Sequence, residues 1–150
     1  MRTIKFRGKR IDGKGFAYGD LLTGCGYEKG RYFILPHLDF YPSDCSSLDG
    51  YEITPDTVGQ FTGLTDKNGK EIYEGDVLEL KLNYKEIKGI DIECNNIFYI
   101  CFEDSEWKCK YLHGGSLNLS FLAEMLKPEI IGNIHDNPEL INNNQQQQPL

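Results

Sequence analysis

The residues best equipped for chemistry lie between Asp66 and Asp76, where Asp66, Asn68, Glu74 and Asp76 all offer side-chain oxygens. A hard cation such as Ca²⁺ takes oxygens from a loop of this kind, but an EF-hand needs them at positions one, three and five, a glycine at six and a bidentate Glu at twelve. Here Gly69 falls at position four, and Ile72 and Tyr73 interrupt the acids with core-type side chains. A turn running into a strand accounts for the whole block, so no metal ligand is assigned. The histidines offer a second chemistry. His37 precedes Asp39 by two residues, His135 precedes Asp136, and His113 follows Cys109 by four. A Cys–His nucleophile needs an activated thiolate and a third group that orients the base. Cys109 stands at an alternating strand position and reads as a packed thiol, with the histidines at the solvent edge. The chain contains no G-x-G-x-x-G, P-loop or G-x-S-x-G pattern. Gly13, Gly15 and Gly19 lie within a hairpin, not at the strand-to-helix junction where a phosphate cradle forms. No catalytic, cofactor-binding or metal-ligating residue is assigned, no cofactor is expected, and the chain reads as a non-enzyme.

Basic and aromatic residues interleave at Lys5-Phe6-Arg7 and Trp107-Lys108-Cys109-Lys110-Tyr111, a pattern that can stack single-stranded bases. The aromatic phase matches the buried face of each strand, which leaves bases little to stack on. Charge is uneven: residues 1–35 carry eight Lys/Arg against three acids, and the remainder carries eight against twenty. An acidic body repels nucleic-acid backbone and membrane surface, while a basic N-terminal hairpin bearing Arg7, Lys9 and Arg10 can still meet a phosphate locally.

The elements that must position these residues are short strands. The chain has 150 residues, 39% hydrophobic and 12% aromatic, enough for one ordinary domain or two small ones. Ile4 and Phe6 alternate with polar residues, Ile11 to Gly15 forms an Asp-Gly turn, and Phe16 to Leu22 returns as the partner strand. Gly24, Gly26 and Gly30 predict a loop, Arg31 to Leu35 an aromatic strand, and residues 37–50 a surface loop. Asn68-Gly69 predicts a hairpin connection, Asp76 to Leu82 a strand, and Ile97 to Phe102 with Trp107 to Tyr111 a second hairpin. Leu119 to Leu126 predicts the one convincing helix, with Leu119, Leu122 and Leu126 on one face and Pro128 beyond its end. Glu129 to Ile134 predicts a last strand, and Asn137-Pro138 a helix start that only a turn or so can follow. The fold class is mainly β: an N-terminal hairpin and meander over residues 1–55, a small barrel with one short helix over 56–141, and a disordered Asn/Gln tail over 142–150.

No apolar stretch approaches the roughly 18 residues that span a bilayer, and no apolar run follows the basic start Met1 to Arg7. Five cysteines without C-x-x-C spacing suit a reducing compartment, so a cytoplasmic location is expected.

Five ordered blocks carry a resemblance: Ile4 to Lys9, Phe16 to Leu21, Val58 to Leu64, Asp66 to Asp76, and Ile131 to Leu140. Together they resemble the YopX family of bacteriophage and prophage proteins from the first residues to about Leu140, with 24–50 and 83–118 the least similar parts. The resemblance implies an SH3-type barrel in the C-terminal half and a phage or prophage context in a bacterial host cell. It assigns no site residue. The expected function is therefore that of an accessory protein that binds another protein, host or self, and so forms an oligomer in the second case. The alternative is a nucleic-acid-binding module that uses the basic hairpin, and no membrane partner is expected.

Overall fold

Period-two alternation dominates the sequence, and eleven strands meet it among the described residues. The computed structural model describes residues 3–25, 28–36, 45–83, 93–112 and 114–142. Two compact units result, Met1–Gly63 and Leu64–Leu150. Their division falls inside a strand, whereas the charge shift and the 37–50 loop point to residue 55.

In the first unit β1 (Phe6–Lys9), β2 (Phe16–Cys25), β3 (Glu28–Leu35), β4 (Glu52–Ile53) and β5 (Gly59–Thr65) are ordered β4-β3-β2-β1-β5. β5 carries the chain onward into the second unit. The Asp-Gly turn forms as expected: Gly13 and Gly15 take φ of 77° and 85°, and the Arg10 amide donates to the Gly15 carbonyl at 2.9 Å. β1 and β2 then pair with Phe6 opposite Gly19 and Arg7 opposite Tyr18. The predicted Gly24–Gly30 loop is shorter than its glycines imply, because β2 runs on to Cys25 past a bulge after Thr23 and β3 begins at Glu28. Within the predicted 37–50 loop, Cys45–Tyr51 forms a 3₁₀ helix. That helix buries Leu48 with Phe33 and Leu35, and a single apolar anchor of this kind leaves no periodicity to read.

The second unit holds β6 (Glu71–Tyr73), β7 (Asp76–Asn83), β8 (Glu93–Glu103), β9 (Glu106–Tyr111), β10 (Ser116–Asn118) and β11 (Glu129–Asn133). Five of these form an antiparallel sheet in the order β10-β9-β8-β7-β11. Ile72, Leu78, Leu80, Phe98, Ile100, Cys109, Leu119, Leu122 and Ala123 make its core. β8 and β9 form the expected hairpin with Glu103 opposite Glu106. Asp104 and Ser105 both take positive φ, 52° and 65°, the backbone sign that a two-residue turn matched to strand twist requires. Among the described residues no closed barrel is found, and β10 and β11 stand at the sheet edges. Residues 143–150 of the expected tail lie outside the described residues. Asn142 itself closes a short helix, α2 (Glu139–Asn142).

The predicted helix is one α-turn, α1 (Leu119–Phe121), followed by a π-turn over Leu122–Leu126. Asn118 caps it, accepting from the Phe121 amide at 3.3 Å. Leu119 and Leu122 are buried as expected, but Leu126 is exposed and Ala123 joins the core instead. The wider winding, closed by the Lys127 amide on the Leu122 carbonyl at 3.2 Å, takes Leu126 off the buried stripe. Lys127 then holds the left-handed region at φ 48°, ψ 65°. Lys127→Gly is expected to raise stability by about 0.5–1 kcal/mol, since only glycine occupies that region without a Cβ penalty. Urea unfolding checks this, and a Gly variant less stable than wild type overturns it.

Candidate functional site

The Asp66–Asp76 block is a structural joint. Asp66 Oδ1 accepts the amides of Asn68 at 2.8 Å and Lys70 at 2.9 Å, and its Oδ2 accepts the Ile130 amide of β11 at 3.2 Å. Around it the Asp66 amide donates to the Lys70 carbonyl at 2.8 Å and the Lys67 amide to the Pro128 carbonyl at 3.0 Å. A Lys67–Glu129 ion pair at 2.5 Å adds a surface tie. Burial pushes the Asp66 carboxyl upward, but the amides of Lys70, Ile130 and Asn68, with the Lys70 charge, hold it below the ordinary carboxylate range. Asp76 is buried and accepts the Tyr73 amide on Oδ2 at 2.8 Å. Both aspartates thus turn oxygens toward backbone N–H groups, and among the described residues no group of three or more His, Cys, Asp or Glu could hold a metal ion.

The connection at Asn68-Gly69 spans Asp66 to Lys70, wider than a two-residue hairpin, because the Asp66 side chain bridges it. Gly69 takes φ of 79°, and beyond its own chain neighbours no heavy atom of the described residues lies within 4 Å of where its Cβ would stand. Gly69→Val is expected to cost about 1–3 kcal/mol from backbone strain alone. Urea unfolding measures it, and a variant as stable as wild type would remove the strain argument.

The Ile131–Leu140 block is a clip. Asn133 Oδ1 accepts the amides of His135 at 3.0 Å and Asp136 at 2.9 Å, and its Nδ2 donates to Asp136 Oδ2 at 3.0 Å. The Ile134 amide donates to the Gly75 carbonyl at 2.9 Å. Gly132 leaves room for Asn137, whose Oδ1 would stand 2.5 Å from a Cβ there. Asp136 therefore serves this turn, while His37, Asp39 and His113 lie outside the described residues. Cys109 is fully buried, and burial pushes its thiol up to about 12. A thiol so held stays neutral at physiological pH and is no nucleophile.

The basic hairpin is largely committed to its own fold. Arg7 is 5% exposed and lies over the Phe16 ring at 4.9 Å. Arg10 forms a two-point pair with Asp12, Nε to Oδ1 at 3.0 Å and Nη2 to Oδ2 at 2.6 Å. The Arg10 hydrogen bond lowers the Asp12 carboxyl to about 2. Arg31 grips Glu52 at 3.1 and 2.6 Å, meets Asp49 at 3.0 Å and lies over Phe33.

Two features remain open in the second unit. A cavity of about 600 Å³ is lined by Tyr99, Lys110, Tyr111, Leu112 and Ser116, with Gly114, Gly115, Ile134 and Ile141. Its amine is engaged, since Lys110 Nζ pairs with Glu103 at 2.5 Å. The other feature is an apolar surface: Phe121 and Met125 are 54% and 68% exposed on the helical segment, and Phe102 is 52% exposed near the β8–β9 turn. The chain enters that helical segment directly from β10, an edge strand that residue patterning missed because it is only three residues long.

These observations define a mainly antiparallel-β protein of two small units, and among the described residues no helix is long and apolar enough to cross a membrane. The family described as YopX protein matches residues 5–142, and the chain belongs to the YopX family. It is similar in structure to protein EF1440 from Enterococcus faecalis, with a TM-score of 0.56 and 22% identity over 94% of this chain and 99% of that one. At that identity the likeness concerns the fold. No curated protein matches the chain.

Proposed function

We propose that this chain is a non-enzymatic phage or prophage accessory protein that works in the cytoplasm of a bacterial host by binding another protein, a second copy of itself included. The observation that carries the reading is the β10 edge running straight into the exposed Phe121 and Met125. An unpaired strand edge offers backbone groups to an added strand, and adjacent apolar side chains offer it an anchor. The side chains with chemical potential support the same reading, since Asp66, Asp76, Asn133 and Cys109 are occupied by turns and core. The SH3-like barrel belongs to this proposal. Its support is the order β11-β7-β8-β9-β10 with a helical turn between β10 and β11, the connectivity of SH3-type barrels. Nucleic acid is the alternative partner, and it draws less support because Arg7, Arg10 and Arg31 are committed to Phe16, Asp12 and Glu52.

Sedimentation over a range of concentrations, with affinity capture from host lysate, tests the reading. Concentration-dependent association or a captured protein is expected. A strict monomer that retains no protein overturns it.

A further inference from the structure

We propose that the docking surface is the apolar end of the β8–β9 hairpin with the adjoining helical turn, and that its occupant is a basic, amphipathic protein segment. The inference rests on the protein-binding reading and gives it a place and a partner chemistry.

Register builds the surface. β8 and β9 place Phe98 opposite Tyr111, Ile100 opposite Cys109 and Phe102 opposite Trp107 on one face. Phe98, Ile100 and Cys109 are buried, but the row continues beyond the core to Phe102, which stays half exposed with its ring edge-on to Trp107 at 4.8 Å. On the other side of β9, Asn118 pairs with Lys108, so the chain leaves β10 for the helical turn at this same end of the sheet. Asn118 Nδ2 donates to Glu106 Oε2 at 3.0 Å and holds that junction. Leu119 and Leu122 then enter the core, while Phe121 and Met125 remain in solvent.

A second, independent observation lies within the patch. Trp107 Nε1 is buried and has no acceptor among the described residues. Leaving a buried donor unmade costs a fold of this size a real fraction of its stability, and such a group calls for a role. The Phe102 ring lies edge-on to this indole and is half exposed, so a chain that docks on Phe102 also meets the ring that carries the unmade N–H.

Charge chooses the partner. Glu103, Asp104 and Glu106 stand at the hairpin end, where Lys108 pairs with Asp104 and Glu106 and Lys110 with Glu103. Glu124 is exposed on the helical segment, and residues 64–150 carry fifteen acids against eight lysines, so acids outnumber cations at the patch and in the unit. A two-fold contact between copies would set these carboxylates against themselves, which disfavours a second copy docking through the same face. A segment with apolar anchors and Lys or Arg flanks meets both the rings and the rim.

Trp107 is the sole tryptophan, so its emission reports the site directly. The full chain is titrated with a synthetic amphipathic peptide of leucine and lysine, with a leucine and glutamate peptide as control. A saturable change in Trp107 emission is expected with the basic peptide and none with the acidic one. Phe121→Ser with Met125→Ser leaves net charge unchanged and is expected to weaken binding at least about tenfold, as truncating anchor residues does. Unchanged thermal unfolding of that variant, whose altered residues are exposed, establishes that it is folded. Absence of a saturable response to the basic peptide, an equal response to the acidic one, or undiminished affinity in the double variant overturns the proposal. Self-association that the double variant abolishes overturns it too, since the face would then take a second copy, while the protein-binding reading stays intact.

Discussion

Gly19→Ala is expected to destabilise the protein by about 3–5 kcal/mol, among the largest effects of any single methyl addition. Gly19 sits in β2 at φ 152°, where side chains are rarely found, and a Cβ there would stand 1.8 Å from the Leu35 carbonyl oxygen and 2.7 Å from its carbon. Those atoms are backbone, so no rotamer change relieves the clash. β2 and β3 are paired at this point, with Asp20 opposite Leu35, and the only relief is to part the strands. Parting them uncovers Phe33 and Leu35, which pack with Leu48 in the first unit's apolar cluster. Gly13→Ala provides the control. Gly13 also has positive φ, 77°, but beyond its chain neighbours nothing among the described residues lies within 4 Å of its would-be Cβ, so the expected cost is only about 1 kcal/mol of backbone strain. Urea unfolding of the two variants separates the effects. Equal losses would mean that close approach of Leu35 is not what demands glycine at position 19.

Sequence and structure agree where period two runs unbroken for several residues beside a clear turn. The Phe6–Cys25 hairpin, β7 and the β8–β9 pair are all of this kind, because alternation fixes the face and Asp12-Gly13 or Asp104-Ser105 fixes the reversal. Elements with too few residues to show a period escaped: β10 has three, and Cys45–Tyr51 buries only Leu48 among its described side chains. The helical segment was legible, but its winding was not. Leu126 reads as the next member of the Leu119–Leu122 stripe, and only the π-turn before Pro128 takes it into solvent.

The candidate surface was hidden for a different reason. Phe102 has the same phase as Phe98 and Ile100, so alternation assigns it to the core. Its exposure depends on how far the opposing elements extend over the hairpin, a tertiary quantity that no local pattern contains. Conversely, the oxygens of Asp66 read locally as candidate cation ligands, and their structural role rests on the Ile130 amide of β11, 64 residues away in sequence.

Asp66→Ala is expected to cost about 2–4 kcal/mol, because it strips a buried carboxylate from three amides at once. The amides of Asn68 and Lys70 lie on an exposed turn, where water can replace part of what is lost. The Ile130 amide is within β11 and recovers less, so the variant should loosen the tie between the turn and that edge strand. Asp66→Asn keeps one acceptor oxygen but brings an NH₂ toward amides that are themselves donors, so it should fall between alanine and wild type. The carboxyl is held below its ordinary range in the folded protein. Its contribution is therefore complete above the unfolded value of about 3.9 and is lost as pH falls through the lower folded value. Wild-type stability should decline over that acid interval, and Asp66→Ala should show a shallower decline because this carboxylate no longer takes up a proton there. Urea midpoints measured at neutral pH and through the acid range test both statements. An alanine variant within about 1 kcal/mol of wild type at neutral pH, or one with an undiminished acid slope, would mean that the turn is held by Lys67–Glu129 and the backbone bonds rather than by Asp66.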